Sequence, residues 1–238
     1  MSSYQWNWQI FMQDTGAGET YLHWMMSAWG WTLSVAALGW VVALIFGSLI
    51  GVLRTVPNKG LQMFGNAWVE LFRNIPVLVQ VFLWYHVLPE LIPVLKTAVP
   101  GFLLVVFALG FFTSARVAEQ VRAGIQSLPR GQMMAGSAMG LTVPQTYRYV
   151  ILPMAFRIIL PPLTSEAMNI VKNSSVAFAV SIAEMIQFAM QAQEETSRGI
   201  EIYMGVTGLY IVSAFAVNRL MAFIEARVRL PGYVGGGK

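Results

Sequence analysis

The sequence predicts an all-α membrane protein of about five transmembrane helices. Three observations predict it. Of 238 residues, 56% are hydrophobic and 11% charged, whereas charged residues make up roughly a quarter of a water-facing domain. The apolar residues gather into stretches of about 20, the length a helix needs to cross the hydrocarbon layer. The basic residues fall on alternate connections. With the N-terminus outside and the C-terminus in the cytoplasm, Arg54, Lys59, Arg122, Arg130, Arg148, Arg227 and Arg229 lie inside, against Lys96 and Arg198 outside, as the positive-inside bias requires.

The segment 1–26 reads as a retained, extracytoplasmic start: through Thr20 it carries Asp14 and Glu19 but no Lys or Arg, so it lacks the positive flank of a cleavable signal peptide. The membrane domain follows over 27–226. The first span runs from about Trp31 to Leu53, with Gly39, Gly47 and Gly51 on one face, where a neighbouring helix packs closely. The second, from about Met63 to Leu88, holds Glu70 and Arg73 three residues apart, spaced to neutralise one another, and Pro76, which interrupts its ladder. Glu90, Pro93, Lys96 and Pro100 form an outer loop. The third span, from about Phe102 to Ala118, continues into a stripe of Arg116, Glu119 and Arg122 that anchors its inner end.

The fourth span, from Arg157 past Ala179, carries Glu166, Asn169, Lys172 and Asn173 along one side, with Ser174 and Ser175 beyond. A lysine at membrane depth costs roughly 2.5–3.5 kcal/mol on the insertion scale, so lipid exposure is disfavoured. Two readings stay open: Lys172 pairs with Glu166 inside the bundle, or Lys172, Asn173 and the serines line a path as a cation and hydrogen-bond donors suited to a carboxylate. Glu184 and the polar run from Gln191 to Glu201 read as an outer connection. The fifth span runs from about Tyr203 to Phe223, and the tail 227–238 is cytoplasmic and ends in glycines.

The stretch 128–155 lies between spans and is too polar to enter the membrane. It reads as two short helices, the first opened by Pro129 and closed by Gly140 in a left-handed conformation, the second opened by Pro144 and broken at Pro153. Ala135, Gly136, Ala138 and Gly140 allow close approach, and Met133, Met134 and Met139 offer a pliable apolar face.

Several chemistries are absent from the sequence. There is no GxxxxGK[ST] phosphate loop, no HExxH, no EF-hand loop and no cysteine, and His23 and His86 are isolated. No metal site or catalytic constellation is expected, and the scattered basic residues, net +4, do not form a nucleic-acid surface.

Gly131-Gln132, Ala135-Gly136, Gly140 and Ile151-Leu152-Pro153 resemble the cytoplasmic "EAA" loop of bacterial ABC importer permeases. Met134 stands where the motif has its glutamate, and Gly136 where it has its second alanine. Glu70-Leu71-Phe72-Arg73-Asn74-Ile75-Pro76, the stretch from Ser114 to Gly124, and Val171-Lys172-Asn173-Ser174-Ser175 are similar to the polar-amino-acid branch. Trp6-Asn7-Trp8, Leu53-Arg54-Thr55-Val56-Pro57 and Val228-Arg229-Leu230-Pro231-Gly232 are most similar to its glutamate/aspartate permeases.

The resemblance implies a type I ABC importer permease fold in the bacterial inner membrane, with 27–226 as permease domain and 128–155 as coupling loop. It implies that Gly131, Gln132, Ala135, Gly136, Gly140, Leu152 and Pro153 couple to the ATPase; Glu166, Asn169, Lys172, Asn173, Ser174 and Ser175 are the candidates for the substrate path on the second of the two readings above. Implied partners are a dimer of ATP-binding cassette subunits, which would use the ATP and Mg, a second permease subunit and an extracytoplasmic amino-acid-binding protein. The spans alone also suit a stand-alone secondary carrier driven by an ion gradient, or a membrane-embedded enzyme or scaffold built on Glu70 and Glu166; no inverted repeat supports the former.

Overall fold

The computed structural model describes residues 4–228, so the tail beyond Val228, including the Arg229 to Gly232 stretch, lies outside them. The long helices are α1 (Tyr21–Leu53), α5 (Gly101–Gln126), α7 (Val143–Val180) and α9 (Gly199–Val228), each long and apolar enough to cross a membrane. Between them lie α2 (Lys59–Asn74), α3 (Val77–Leu91), α4 (Val94–Ala98), α6 (Arg130–Ala138) and α8 (Met185–Thr196).

Helix α1 starts ten residues before the expected Trp31, because Thr20 caps it by accepting the His23 N–H at 3.2 Å. It lies along α5 through its glycine face. A Cβ at Gly47 would meet Val117 Cβ at 2.5 Å and the Ser114 carbonyl at 2.8 Å; at Gly51 it would meet Val121 Cβ at 2.6 Å. Gly110 of α5 receives Val42 in return, and Gly124 lets Ile159 of α7 approach. Helices α5 and α7 therefore form the centre of the bundle, where Ala43, Val117, Val121, Ile151, Ala155, Ile159 and Leu163 make one buried cluster.

The second span is not straight. Helices α2 and α3 meet at 102° around Pro76. The buried Gln80 amide donates to the carbonyls of Phe72 at 2.8 Å and Ile75 at 2.9 Å, capping groups that the break leaves open. Nor do Glu70 and Arg73 pair. Glu70 is exposed, and Arg73 reaches Glu119 of α5 at 3.6 Å.

The polar run after α7 also departs from expectation. It forms α8, whose Met185, Phe188, Ala189 and Ala192 are buried against α1 and α9 at the i, i+3, i+4, i+7 spacing of an amphipathic helix. The run of Gln and Glu is only its outer face. Glu184, fully buried, accepts the Ile186 and Gln187 N–H groups at 2.9 and 3.0 Å and the Tyr210 hydroxyl at 3.3 Å. The Met185 N–H donates to Thr32 of α1 at 3.1 Å. The N-terminal segment folds over this end: the buried Glu201 accepts the Asn7 N–H at 2.8 Å and the Tyr4 hydroxyl, and Arg198 donates to the Gln5 carbonyl at 2.8 Å.

Gly47→Ala forces a methyl against Val117 and is expected to destabilise the bundle by roughly 1–3 kcal/mol. Gly30→Ala, whose methyl meets nothing within 4 Å, is expected to be neutral. Melting temperatures of the purified variants in one detergent check both; equal values would remove the glycine face as the packing determinant.

Candidate functional site

The candidate residues form two sets at different depths of the bundle. The first is the loop at the end opposite the N-terminal segment. Helix α6 begins directly after Pro129 and ends in a Schellman closure. Gly140, at φ +77°, donates to the Ser137 carbonyl at 3.0 Å, and Leu141 donates to that of Gly136 at 3.1 Å. A Cβ at Gly136 would stand 2.6 Å from Thr146 Cγ2, so this glycine serves the fold of the loop itself. The Thr142 N–H donates to Gln145 Oε1 at 2.8 Å and opens α7.

Pro153 does not break α7. A π turn over Tyr147–Ile151 widens the helix just before it, and Leu152 donates back to Tyr147. The inserted residue absorbs the contact that proline would otherwise spoil.

These folds sort the candidate coupling residues. Gly131, Ala135, Gly140 and Pro153 are exposed, Gln132 and Leu152 are half-buried and Gly136 is buried. Met134 and Met139, 68% and 79% exposed, stand out beside them, while Met133 packs into the core. From Gly131 through Tyr147 no side chain is charged. The outward surface is small and thioether-rich, a form that grips an apolar groove.

The second set lies on α7. Lys172 is exposed, in line with exposed Pro161 and Ser165. Among the described residues no carboxylate pairs with it. Glu166, 9% exposed, has a buried Oε2 without a hydrogen-bond partner. The two are six residues and so about 120° apart around the helix, which is why they do not meet. Asn169, Asn173 and Ser175 are half-buried between these faces. Ser174 is separated from the set: it is buried and donates to the Val171 carbonyl at 2.7 Å. On neighbouring α9, the exposed Asn218 donates to Met168 Sδ at 3.9 Å, beside the same face.

Two buried polar atoms escaped the sequence reading, Gln80 Oε1 and Thr113 Oγ1, both unpartnered; the Pro76 break was the available signal for Gln80. A cleft of about 1000 Å³ opens near the N-terminal segment, lined by Tyr4, Gln193, Ser197, Tyr203 and Met204 among others, and contains none of the α7 candidates. Among the described residues no group of three or more His, Cys, Asp or Glu is placed to hold a metal.

Residues 43–230 match the model of the family described as binding-protein-dependent transport system inner membrane component. The chain belongs to this family. It is 45% identical to the glutamate/aspartate import permease protein GltJ of Escherichia coli O6:H1, over 98% of this chain and 99% of that protein. It is 28% identical to a second protein of that strain, the glutamate/aspartate import permease protein GltK, over 82% of this chain and 89% of that protein. The crystal structure of an amino acid ABC transporter with histidines is similar at 30% identity and a TM-score of 0.75, covering 87% of this chain and 95% of that one. The all-α membrane fold, with four helices of spanning length and the bent pair as a fifth, is thus the permease fold that the loop motif implies. The family and the spans make the chain a multi-pass protein of the bacterial inner membrane.

Gly140→Val puts a β-branched residue at positive φ, at a cost of roughly 1–2 kcal/mol or more. Limited proteolysis of the purified protein in detergent should cut the loop faster, with membrane insertion in cells unchanged; equal cleavage would mean that the closure tolerates a side chain.

Proposed function

We propose that this chain is a transmembrane permease subunit of an ATP-driven importer for polar amino acids, glutamate and aspartate above all. In this reading the N-terminal segment is extracytoplasmic and the 128–155 loop cytoplasmic, as the distribution of Arg and Lys favours.

The observation that carries the reading is Lys172. A cation exposed on a membrane-depth face, unpaired within the described residues, is too costly to leave against lipid. A second permease subunit facing α7 would cover it and enclose a path between the two chains. There the ammonium would attract a substrate carboxylate, with Asn169, Asn173 and Ser175 as neighbouring hydrogen-bonding groups. The unpartnered Glu166 Oε2 would suit the substrate's α-ammonium. The second subunit is more plausibly a related chain than a copy, because one E. coli strain carries two glutamate/aspartate import permeases similar to this sequence.

The loop supplies the coupling. Small exposed residues with Met134 and Met139 would sit in a groove of a separate ATP-binding cassette subunit. ATP binding there would bring the two cassettes together, shift α6 as a lever and turn the path between the two sides of the membrane. ATP and Mg belong to that partner. A binding protein outside would deliver the amino acid.

Affinity purification of the tagged chain from gently solubilised membranes tests this. Recovery of an ATP-binding subunit, with hydrolysis stimulated by glutamate plus the binding protein, is the expected result. A chain that purifies alone and moves glutamate in liposomes without ATP would instead establish a secondary carrier. Lys172→Met is expected to lower glutamate uptake at least about tenfold, the loss of a charge-assisted contact worth roughly 1.5–3 kcal/mol, while the complex still assembles. Uptake at the parental rate would remove Lys172 from the path.

A further inference from the structure

Among the described residues one side-chain hydrogen bond joins the loop to the rest of the bundle across 92 positions of sequence: the Tyr147 hydroxyl donates to Thr55 Oγ1 at 3.1 Å. Tyr147 is buried and forms the first residue of the π turn, the irregular point where the loop becomes α7. Thr55 is the second residue past α1 and is itself fixed, donating to the Val52 carbonyl at 2.8 Å.

The preceding residue ties the same corner to two more helices. Arg54, its side chain 5% exposed, donates from Nε to Asn66 of α2 at 2.8 Å and from Nη2 to Glu119 of α5 at 3.1 Å. Arg73 of α2 approaches the same Glu119 oxygen at 3.6 Å. A Cβ at Gly65 would stand 2.5 Å from Arg54 Cγ, so α2 lies directly on the arginine stem. With the glycine packing of α1 on α5, this clamp makes the inner ends of α1, α2 and α5 one unit. Thr55 is where that unit touches the loop through a hydrogen bond.

The geometry points to the Thr55–Tyr147 hydroxyl pair as a positioning contact through which movement of the coupling loop is passed to the α1, α2 and α5 unit. This rests on the coupling reading of the loop given above. The pair touches neither substrate nor nucleotide; it acts by holding the π turn in register with the end of α1. A π turn carries one residue more than the α-helix needs, so it has a second arrangement close at hand, and a single part-buried contact is sufficient to bias the choice.

The test uses the whole importer in liposomes: both permeases, the ATP-binding subunits and the binding protein. Tyr147→Phe and Thr55→Val each remove the contact but keep the ring and the branched shape; Thr55→Ser keeps it. Uptake and ATP hydrolysis are measured together, with the melting temperature of each complex. We expect Tyr147→Phe and Thr55→Val each to lower the amino acid moved per ATP by roughly threefold to tenfold, the range of one buried hydrogen bond. The double variant should be no worse than either, and Thr55→Ser should match the parent. Variants that keep the parental ratio, or a double variant whose loss is the product of the singles, would overturn the contact's role while leaving the importer reading in place. A parental complex that transports without ATP would overturn both.

Discussion

Close approach of α1 and α5 through glycine is the constraint on which the rest of the structure depends. Between helices in lipid no hydrophobic gain drives association, because the tails are as apolar as the side chains they replace; packing must supply it. Gly47 and Gly51 bring the α1 backbone against Val117, Val121 and the carbonyls of Ser114 and Ala118. Once these helices are side by side, α7 seats on α5 at Gly124, α2 lies over Arg54 at Gly65, and the loop is held beneath the end of α1.

The second demand of the bilayer is that every backbone polar group finds a partner inside the protein. The fold breaks its helices repeatedly and answers several of the breaks with a side chain. Gln80 closes the carbonyls exposed at Pro76, Glu184 caps α8, and Glu201 receives the N-terminal segment. Placed as loop residues, these glutamates would be ordinary; fully buried, they fasten the end of the bundle that carries the N-terminal segment.

Against this background the α7 groups differ. Glu166 Oε2 has no partner and Lys172 pairs with nothing among the described residues. Glu184 and Glu201, by contrast, are fully engaged in hydrogen bonds. In the loop, Met134 and Met139 are exposed and the buried Gln132 Oε1 is unpartnered, whereas Gly136 and Thr146 are packed together.

The sequence by itself determined the fold class, the alternation of the basic residues, the positions of Gly47 and Gly51 as a packing face and the closure of α6 at Gly140. Each of these is set locally, by composition, helical periodicity or the conformational freedom of one residue. Only the tertiary structure decided partners. Arg73 and Glu70 have ideal spacing for one another, yet Glu119 on a distant helix is closer to the arginine, and the separation of six positions between Glu166 and Lys172 turns them to different faces. The polar run before Glu201 looked like a connection because its outer face is conspicuous; α8 becomes visible only when Met185, Phe188, Ala189 and Ala192 are given a surface to bury against. Pro153 read as a break because local geometry forbids proline within a regular helix; the π turn that accommodates it begins at Tyr147, whose hydroxyl donates to Thr55, a contact that no window of neighbouring residues contains.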